Sequence, residues 1–524
     1  MSSAAQPNQN TNKDAYSSIS DFVSHIFIAL RSKRDLQILI LISLLAAFLR
    51  LYQLGAESLW LDEASTYVLS SKTLSNILEA TAGDVHPPLY YILVHFFLIA
   101  GNSETILRLP SMLMGIMGVP LIYLLASRLF TPKEGLVAAF LLSVSIMHIY
   151  YSQEARMYSM LLFLSLCSVY FFYLAVEDNK KINWIFFSFF TVLNIYTHYF
   201  GFFIFPIEIF FYLVTQISLS KKTGNKLMLR LKDVQKSKMF AVSVLLIIFL
   251  IIPRIQVFAE QAMSRVGGEV TWGIGPSHLI PILLGNFSNF SSSPSILFML
   301  LFTIGIFAVI IHNRKQGLLL CMWFIFPIIV SFYLAGIMPF QPRYLLFILP
   351  AFLILVARGI TFIPSIVIST QRNNKKKSKN AVDNSKSKQV ILIVAIVIVL
   401  FLNSVGSLSS YYSTPQKNDW REVSSFIEAN TQSGDVIVAL PSYMSQPLTY
   451  YYDNLSDGTY ITNVGYTENE FNGIVKSTAP NRVFFVLTGD INAANPDGTT
   501  LEWLQNNANV VTVINGVYIL TPKI

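Results

Sequence analysis

At 524 residues, 53% hydrophobic, 13% charged and with a mean hydropathy of +0.54, the chain carries more apolar surface than one soluble core can hide. Lipid is the remaining solvent for it. A net charge of +8 would suit nucleic acid, but the basic residues sit in short segments between apolar runs, where membrane topology accounts for them; no nucleic-acid partner is expected.

Residues 1–34 are polar to amphipathic, with no small-residue cleavage site behind a short apolar core, so no cleavable signal peptide is expected and the first span serves as anchor. Spans are predicted near 36–54, 106–130, 135–152, 156–176, 183–199, 201–219, 239–258, 296–312, 317–334, 343–364 and 389–408. The run PLYYILVHFFLIA, Pro88 to Ala100, has only 13 residues. As a helix it measures ~20 Å, against a hydrocarbon core of ~30 Å.

Counting that run as a span would flip the side of every later loop, and charge decides the matter. If it lies along the surface, Arg31/Lys33/Arg34, Arg128/Lys133, Lys180/Lys181, the 220–238 loop, Arg314/Lys315 and the 372–388 loop all share the cytoplasmic side. If it spans, the N-terminal cluster opposes all the others. The expectation is therefore eleven spans plus an interfacial helix at about 88–100, with the N-terminus inside and the C-terminus outside. The outer side then collects the 55–105 loop with Asp62-Glu63, the turn around Gln153-Glu154-Ala155-Arg156, His198, the 259–295 loop, Arg343-Tyr344 and the tail.

The tail, 411–524, alternates strand-like runs (DVIVAL, RVFFVLTG, VVTVINGVYIL) with helix-like ones, which predicts a small α/β domain. It has no glycine-rich phosphate loop. Cys167 and Cys321 both lie in apolar runs, so no disulfide framework or Cys-rich metal site is expected.

Several polar residues could carry chemistry. Asp62 or Glu63 can accept a proton from a sugar acceptor, with apolar neighbours raising its pKa, or can simply cap a helix. Glu154 and Arg156 can serve a phosphorylated substrate or pair with each other. Arg108 and Arg343, each at the outer start of a span, suit a phosphate or a lipid headgroup equally. Tyr344 can be a belt aromatic. His86 and His198 have no ligand spacing to a partner, and structural hydrogen bonding explains them as well as any metal.

LWLDEASTY, DVHPPLYYILVHFF and ETILRLPSMLMGIMGVPLIYLLASRLF, in that order, resemble the protein O-mannosyltransferase and aminoarabinose transferase group of GT-C membrane glycosyltransferases. QEARMYSM, QPRYLLFILPAFLILVARG and KNDWREVSSFIEANTQSGDVIVAL are similar to segments of related enzymes, so the resemblance covers most of Leu36 to about Tyr452. It implies a polytopic α-helical membrane protein of GT-C type: a transmembrane catalytic domain at 35–410, interfacial helices in its first outer loop, and the extracytoplasmic α/β domain at 411–524.

It also implies an inverting transferase of the cell membrane whose donor is a polyprenyl- or dolichyl-phosphate sugar. Asp62 matches the catalytic Asp, Glu63 the adjacent acid, and Glu154 the second acidic site. His86 belongs to the His-Pro-Pro motif and Arg108 to the Arg-Leu-Pro segment. Arg156 and Arg343 are assigned to phosphate by chemistry and placement, and Tyr158, His198 and Tyr344 join the substrate-binding set. The oligosaccharyltransferase signature Trp-Trp-Asp-Tyr-Gly does not occur and the tail does not resemble a MIR domain, so a glycolipid or polysaccharide acceptor stands level with a protein. No cofactor is required; relatives include metal-using and metal-independent enzymes, which leaves a divalent metal compatible. The competing class is a transporter or flippase of lipid-linked or anionic sugars, which calls for charges deep within the spans and a repeat, neither evident in the sequence.

Overall fold

The computed structural model describes residues 33–221, 227–264, 273–289, 295–372, 379–452, 460–462 and 465–523. Residues 1–32, and parts of the loops expected at 220–238, 259–295 and 372–388, lie outside them.

Helix α1 (Lys33–Leu51) leads into a loop built on three short helices, α2 (Leu61–Ser70), α3 (Leu74–Gly83) and α4 (Leu89–Phe97). Thr73 caps α3 and Ser103 caps the long α5 (Glu104–Leu129), each through its hydroxyl. Between them a short apolar helical segment runs from Leu89 to Ala100 and stops at Gly101, whose φ of 136° few other residues adopt.

The straight span expected at 135–152 is instead two helices, α6 (Pro132–Ser143) and α7 (Ile146–Ser152), bent by 61°. Helix ends leave carbonyls unpaired, and here side chains from neighbouring segments take them. Arg50, fully buried at the end of α1, donates to Leu142 O (3.1 Å), Ser143 O (3.0 Å) and His148 Nδ1 (2.7 Å). Gln153 in turn donates to carbonyls at the end of α1 and just past it, those of Arg50 (3.1 Å) and Tyr52 (2.7 Å). The bend is thus held by two reciprocal caps.

Helix α8 (Tyr158–Asp178) runs through the centre of the bundle and is almost wholly buried. Around it stand α9 (Lys181–Thr197), α10 (Ile204–Gln216), α11 (Val234–Ser264), α12 (Pro276–Phe287), α13 (Ile296–His312), α14 (Arg314–Leu334), α15 (Leu349–Arg372) and α16 (Lys379–Ser413). Among the described residues seven helices are long and apolar enough to cross a membrane, or eight if the bent pair is one span. The other expected spans are helices as well: α9 and α13 have 17 residues each, and α1 carries Lys33, Arg34, Asp35 and Arg50 at its ends. Outer helices turn bare apolar side chains away from the bundle, Phe249 at 68% and Ile391 at 67% exposure. This is a membrane-protein surface.

Glu208 departs from the expected absence of charge deep in the spans: it is fully buried in α10 and accepts from Ser168 Oγ at 2.7 Å. One end of the bundle gathers ion pairs, Arg128–Asp178 (2.5 Å), Lys315–Glu177 and Arg358–Glu134 (2.8 Å). Helices α13 and α15 touch backbone to backbone. A Cβ on Gly359 would sit 2.0 Å from Leu301 O, and one on Gly305 1.9 Å from Leu355 O. Gly359→Ala is therefore expected to force the pair apart at a cost of about 2 kcal/mol or more. A thermal melt should show it as a lowered midpoint, with Gly83→Ala, which has open space, as the neutral control.

A hairpin, β1 (Ile217–Lys221) with β2 (Leu227–Leu231), joins α10 to α11. Beyond α16 the chain forms α17 (Trp420–Asn430), β3 (Val436–Leu440), α18 (Ser445–Tyr451), β4 (Tyr460–Thr462), β5 (Val483–Leu487), β6 (Ala508–Ile514) and β7 (Val517–Pro522). The sheet order is β4-β3-β5-β7-β6, with β3 parallel to β4 and β5, and β7 antiparallel to its neighbours. Its α/β character agrees with the alternating runs of the tail. This unit docks on the first loop. The Tyr67 and Tyr450 rings meet edge to face at 4.9 Å, and Tyr451 OH accepts from Leu59 N (2.7 Å) and donates to Glu104 Oε1 (2.9 Å).

Candidate active site

Asp62 and Glu63 open α2, and successive helical residues diverge by about 100°. The two carboxylates consequently face different surroundings. Glu63 turns inward and is fully buried. Its oxygens accept from Arg108 Nε and Nη2 (2.8 Å each), Lys417 Nζ (2.9 Å) and Ala155 N (2.8 Å). Burial alone would raise its pKa, but Arg108 and Lys417 outweigh it and hold the group down at about 2.

Arg108 has five N–H donors, and all five are used inside the protein. Two bind Glu63, two bind the carbonyls of Leu54 and Glu57 (2.9 Å each), and one binds Ser58 O at 3.1 Å. It pins the first loop, and no donor is left for a phosphate. Glu63 and Arg108 thus stand in the wall behind the cluster that the other predicted residues form.

Asp62 turns to the open side, its side chain 23% exposed. Oδ2 lies 3.2 Å from Arg343 Nη2 and 4.0 Å from Arg156 Nε. Arg156 is anchored by its Nη1 on Asp62 O (3.2 Å) and Thr66 Oγ1 (3.3 Å), and Nη2 approaches His86 Nδ1 at 3.4 Å. Arg343 precedes α15 in a 3-10 segment and lies over the rings of Trp60 (5.4 Å), Tyr158 (5.6 Å) and Tyr344 (6.0 Å). The Nε groups of both Arg156 and Arg343 are buried without a hydrogen-bond partner among the described residues.

Glu154, between α7 and α8, accepts from Trp60 Nε1 at 2.8 Å, while its Oε2 is buried and has no hydrogen-bond partner among the described residues. Burial pushes its pKa up to about 7; Glu63 and Asp62 add to the rise, and Lys417 and Arg343 oppose it. His198 Nδ1 accepts from Phe200 N at 3.1 Å, which assigns its proton to Nε2, a buried donor with no partner among the described residues. Its ring lies 5.3 Å from His86, 5.8 Å from Tyr158 and 5.7 Å from Tyr344.

Eight of the ten predicted residues therefore meet: Asp62, His86, Glu154, Arg156, Tyr158, His198, Arg343 and Tyr344. Sequence reasoning missed Lys417, whose flanking KNDWRE already carried the family resemblance. It also missed the indole of Trp60 as a ligand of Glu154. A cavity of 580 Å³ lined by Tyr150, Tyr151, Asn286, Ser410 and Gln416 lies beside the cluster, and Tyr151 joins them, its ring 5.1 Å from Tyr158.

The donor set does not suit a divalent cation. Among the described residues no three His, Cys, Asp or Glu are grouped to hold one, and Asp62 and Glu63 already face Arg108, Arg156, Arg343 and Lys417.

The fold is shared with ArnT from Cupriavidus metallidurans, solved in the apo state and bound to undecaprenyl phosphate. The likeness has a TM-score of 0.57 at 13% identity, over 92% of this chain and 97% of that one. The oligosaccharyltransferase of Archaeoglobus fulgidus matches with a TM-score of 0.57 at 12% identity, over 88% of this chain and 71% of that one. It has also been solved, as AglB, with an inhibitory peptide and a dolichol-phosphate. No curated protein matches the chain in sequence. The chain has the fold of the GT-C membrane glycosyltransferases. Residues 85–256, about a third of the chain, match the family model described as dolichyl-phosphate-mannose-protein mannosyltransferase.

Proposed function

We propose that the protein is an inverting glycosyltransferase that moves a sugar from a polyprenyl- or dolichyl-phosphate donor to an envelope acceptor. One observation carries the reading: Arg156 and Arg343 flank the Asp62 carboxylate, each with a buried N–H that no group among the described residues satisfies. Such a donor costs about 1–3 kcal/mol unless something pairs with it. A phosphate oxygen meets that need and suits guanidinium geometry.

In the reaction an acceptor hydroxyl attacks the anomeric carbon, the bond from that carbon to the phosphate oxygen breaks, and its electron pair stays on the phosphate. Arg156 and Arg343 stabilise the charge that grows there. The acceptor's proton passes to the Asp62 carboxylate. A single displacement inverts the anomeric configuration. Tyr158, Tyr344, His86 and His198 line the donor side, with the His198 Nε2 proton available to a sugar hydroxyl.

The cluster belongs to the outer face of the membrane on this reading. It gathers at the start of α8, while Arg128, Lys180 and Lys315 gather at the other end, as the positive-inside rule expects of a cytoplasmic side. The C-terminal α/β unit is then extracytoplasmic, and the acceptor is a glycolipid, a polysaccharide or a protein. The test is mass spectrometry of envelope glycans and glycolipids from a deletion strain and its complemented parent, paired with purified protein in vesicles given undecaprenyl-phosphate-linked sugar. A sugar missing from the deletion strain and a new glycosidic bond in vitro are expected. Movement of the lipid across the bilayer with no new bond would sink the reading.

A further inference from the structure

We propose that Lys417 is a positioning residue through which the C-terminal unit completes the transferase site, acting on Asp62 and Glu154 by way of Glu63. The inference rests on the transferase reading of the cluster. Lys417 belongs to neither the helical bundle nor the sheet; it lies in the link between α16 and α17. Its side chain is nevertheless only 6% exposed, with Nζ 2.9 Å from Glu63 Oε2.

Glu63 is the hub that gives this contact reach. It directly follows Asp62 in the chain, and its Oε1 takes Ala155 N, the residue between Glu154 and Arg156. One carboxylate thus fixes both backbone segments that present the site's acids and one of its arginines.

The sheet sets where Lys417 stands. Asn515, in the left-handed turn between β6 and β7 (φ 43°), donates from Nδ2 to Lys417 O at 2.8 Å, and Asn418 Nδ2 donates back to Asn515 O at 2.9 Å. On the other side the link is tied to the first loop, where Ser58 Oγ donates to Asn418 O (2.7 Å) and Glu57 Oε1 accepts from Gln416 N (2.5 Å). The ammonium is clamped between the sheet's hairpin turn and the loop that carries Asp62.

Charge gives the contact a second effect. Glu63 and Arg108 alone form a neutral pair; Lys417 makes the buried group net positive beside Glu154. The groups facing Glu154 are the carboxylates Asp62 and Glu63, the cations Lys417 and Arg343, and the Trp60 indole that donates to it. The phenols of Tyr150 and Tyr151, on α7, and of Tyr411, on α16, also face it. Of the two cations, Lys417 opposes the burial of Glu154 most strongly. Taking it away should leave Glu154 protonated to higher pH.

The protonated carboxyl stretch of Glu154, identified by its loss in Glu154→Gln, can be followed by infrared titration of the full chain in nanodiscs. The wild-type midpoint is expected near 7, the value set by burial. In Lys417→Met it should rise by about one unit or more, a tenfold change in ionisation. The pH optimum of transfer from undecaprenyl-phosphate-linked sugar should move the same way, with kcat reduced and KM for the donor kept. Lys417→Arg should restore both. Arg421→Ala removes an exposed ion pair between the same unit and Glu104 and should change neither.

A folded Lys417→Met protein that titrates like wild type overturns the proposal, and so does an equal shift in Arg421→Ala, which would mark general loosening of the dock. Should Lys417→Met fail to fold, Lys417→Gln keeps a donor to Glu63 without the charge and carries the same expectation. The infrared reading needs no substrate. An Asp62→Asn enzyme that still transfers sugar would defeat the transferase reading while the Lys417 shift stood.

Discussion

Asp62→Asn is expected to lower sugar transfer by a factor of about 10²–10⁴, the usual contribution of a general base, while the protein folds and inserts as before. The fold does not depend on this carboxylate. Arg156 takes the backbone oxygen of Asp62 as hydrogen-bond acceptor, and the side chain is 23% exposed. The amide has the same shape but cannot hold the acceptor's proton at neutral pH. Removing the negative charge also leaves Arg343 and Arg156 freer to bind phosphate, so donor affinity should hold or rise while turnover collapses. That split between binding and rate is the signature to look for in a purified transfer assay. Near wild-type turnover would move the proton to another group, with Glu154 the next acid in the cluster.

Arg108→Met is expected to be the most damaging substitution for folding. Breaking a buried ion pair by removing one partner costs about 3–5 kcal/mol. Here the loss also strips hydrogen bonds from the carbonyls of Leu54, Glu57 and Ser58, at about 1–3 kcal/mol for a buried group left unpaired. These costs overlap and do not add in full. Lys417 and Ala155 N still hold Glu63, so part of the loss is offset. Low yield of folded protein and a depressed thermal midpoint should follow. Arg421→Ala, at an exposed pair, should cost less than about 1 kcal/mol. A stable Arg108→Met protein that has lost only activity would return Arg108 to the substrate-binding set.

Arg108 and Arg343 look alike in the sequence, each a cation opening an apolar run. Nothing local separates them, because the difference lies in what surrounds each guanidinium: five acceptors from the first loop in one case, three aromatic faces and a carboxylate in the other. Asp62 and Glu63 are adjacent letters with opposite environments, and the helix that turns one inward had to be seen. The apolar run at 135–152 read as one span because hydropathy does not register a bend whose cause, Arg50, is about ninety residues away. By contrast, the α/β tail, the short helix after Pro88 and the meeting of most predicted site residues were legible. Periodicity, run length and motif order encode them directly.

Glu63 meets Arg108 across 45 residues of chain, but Lys417 across 354. At synthesis rates of about 5–20 residues per second, the gap between Arg108 and Lys417 amounts to roughly 15–60 s. During that interval the first loop has its arginine pin and lacks its second cation, its hairpin clamp and the tyrosines of α18. A chain interrupted between the end of α16 and residue 417 would sit in the bilayer with every span beside the cluster in place and the acidic pair only half countered. Lys417 is made after every span that flanks the cluster, so a donor lipid that drifts past an unfinished copy meets an unfinished site.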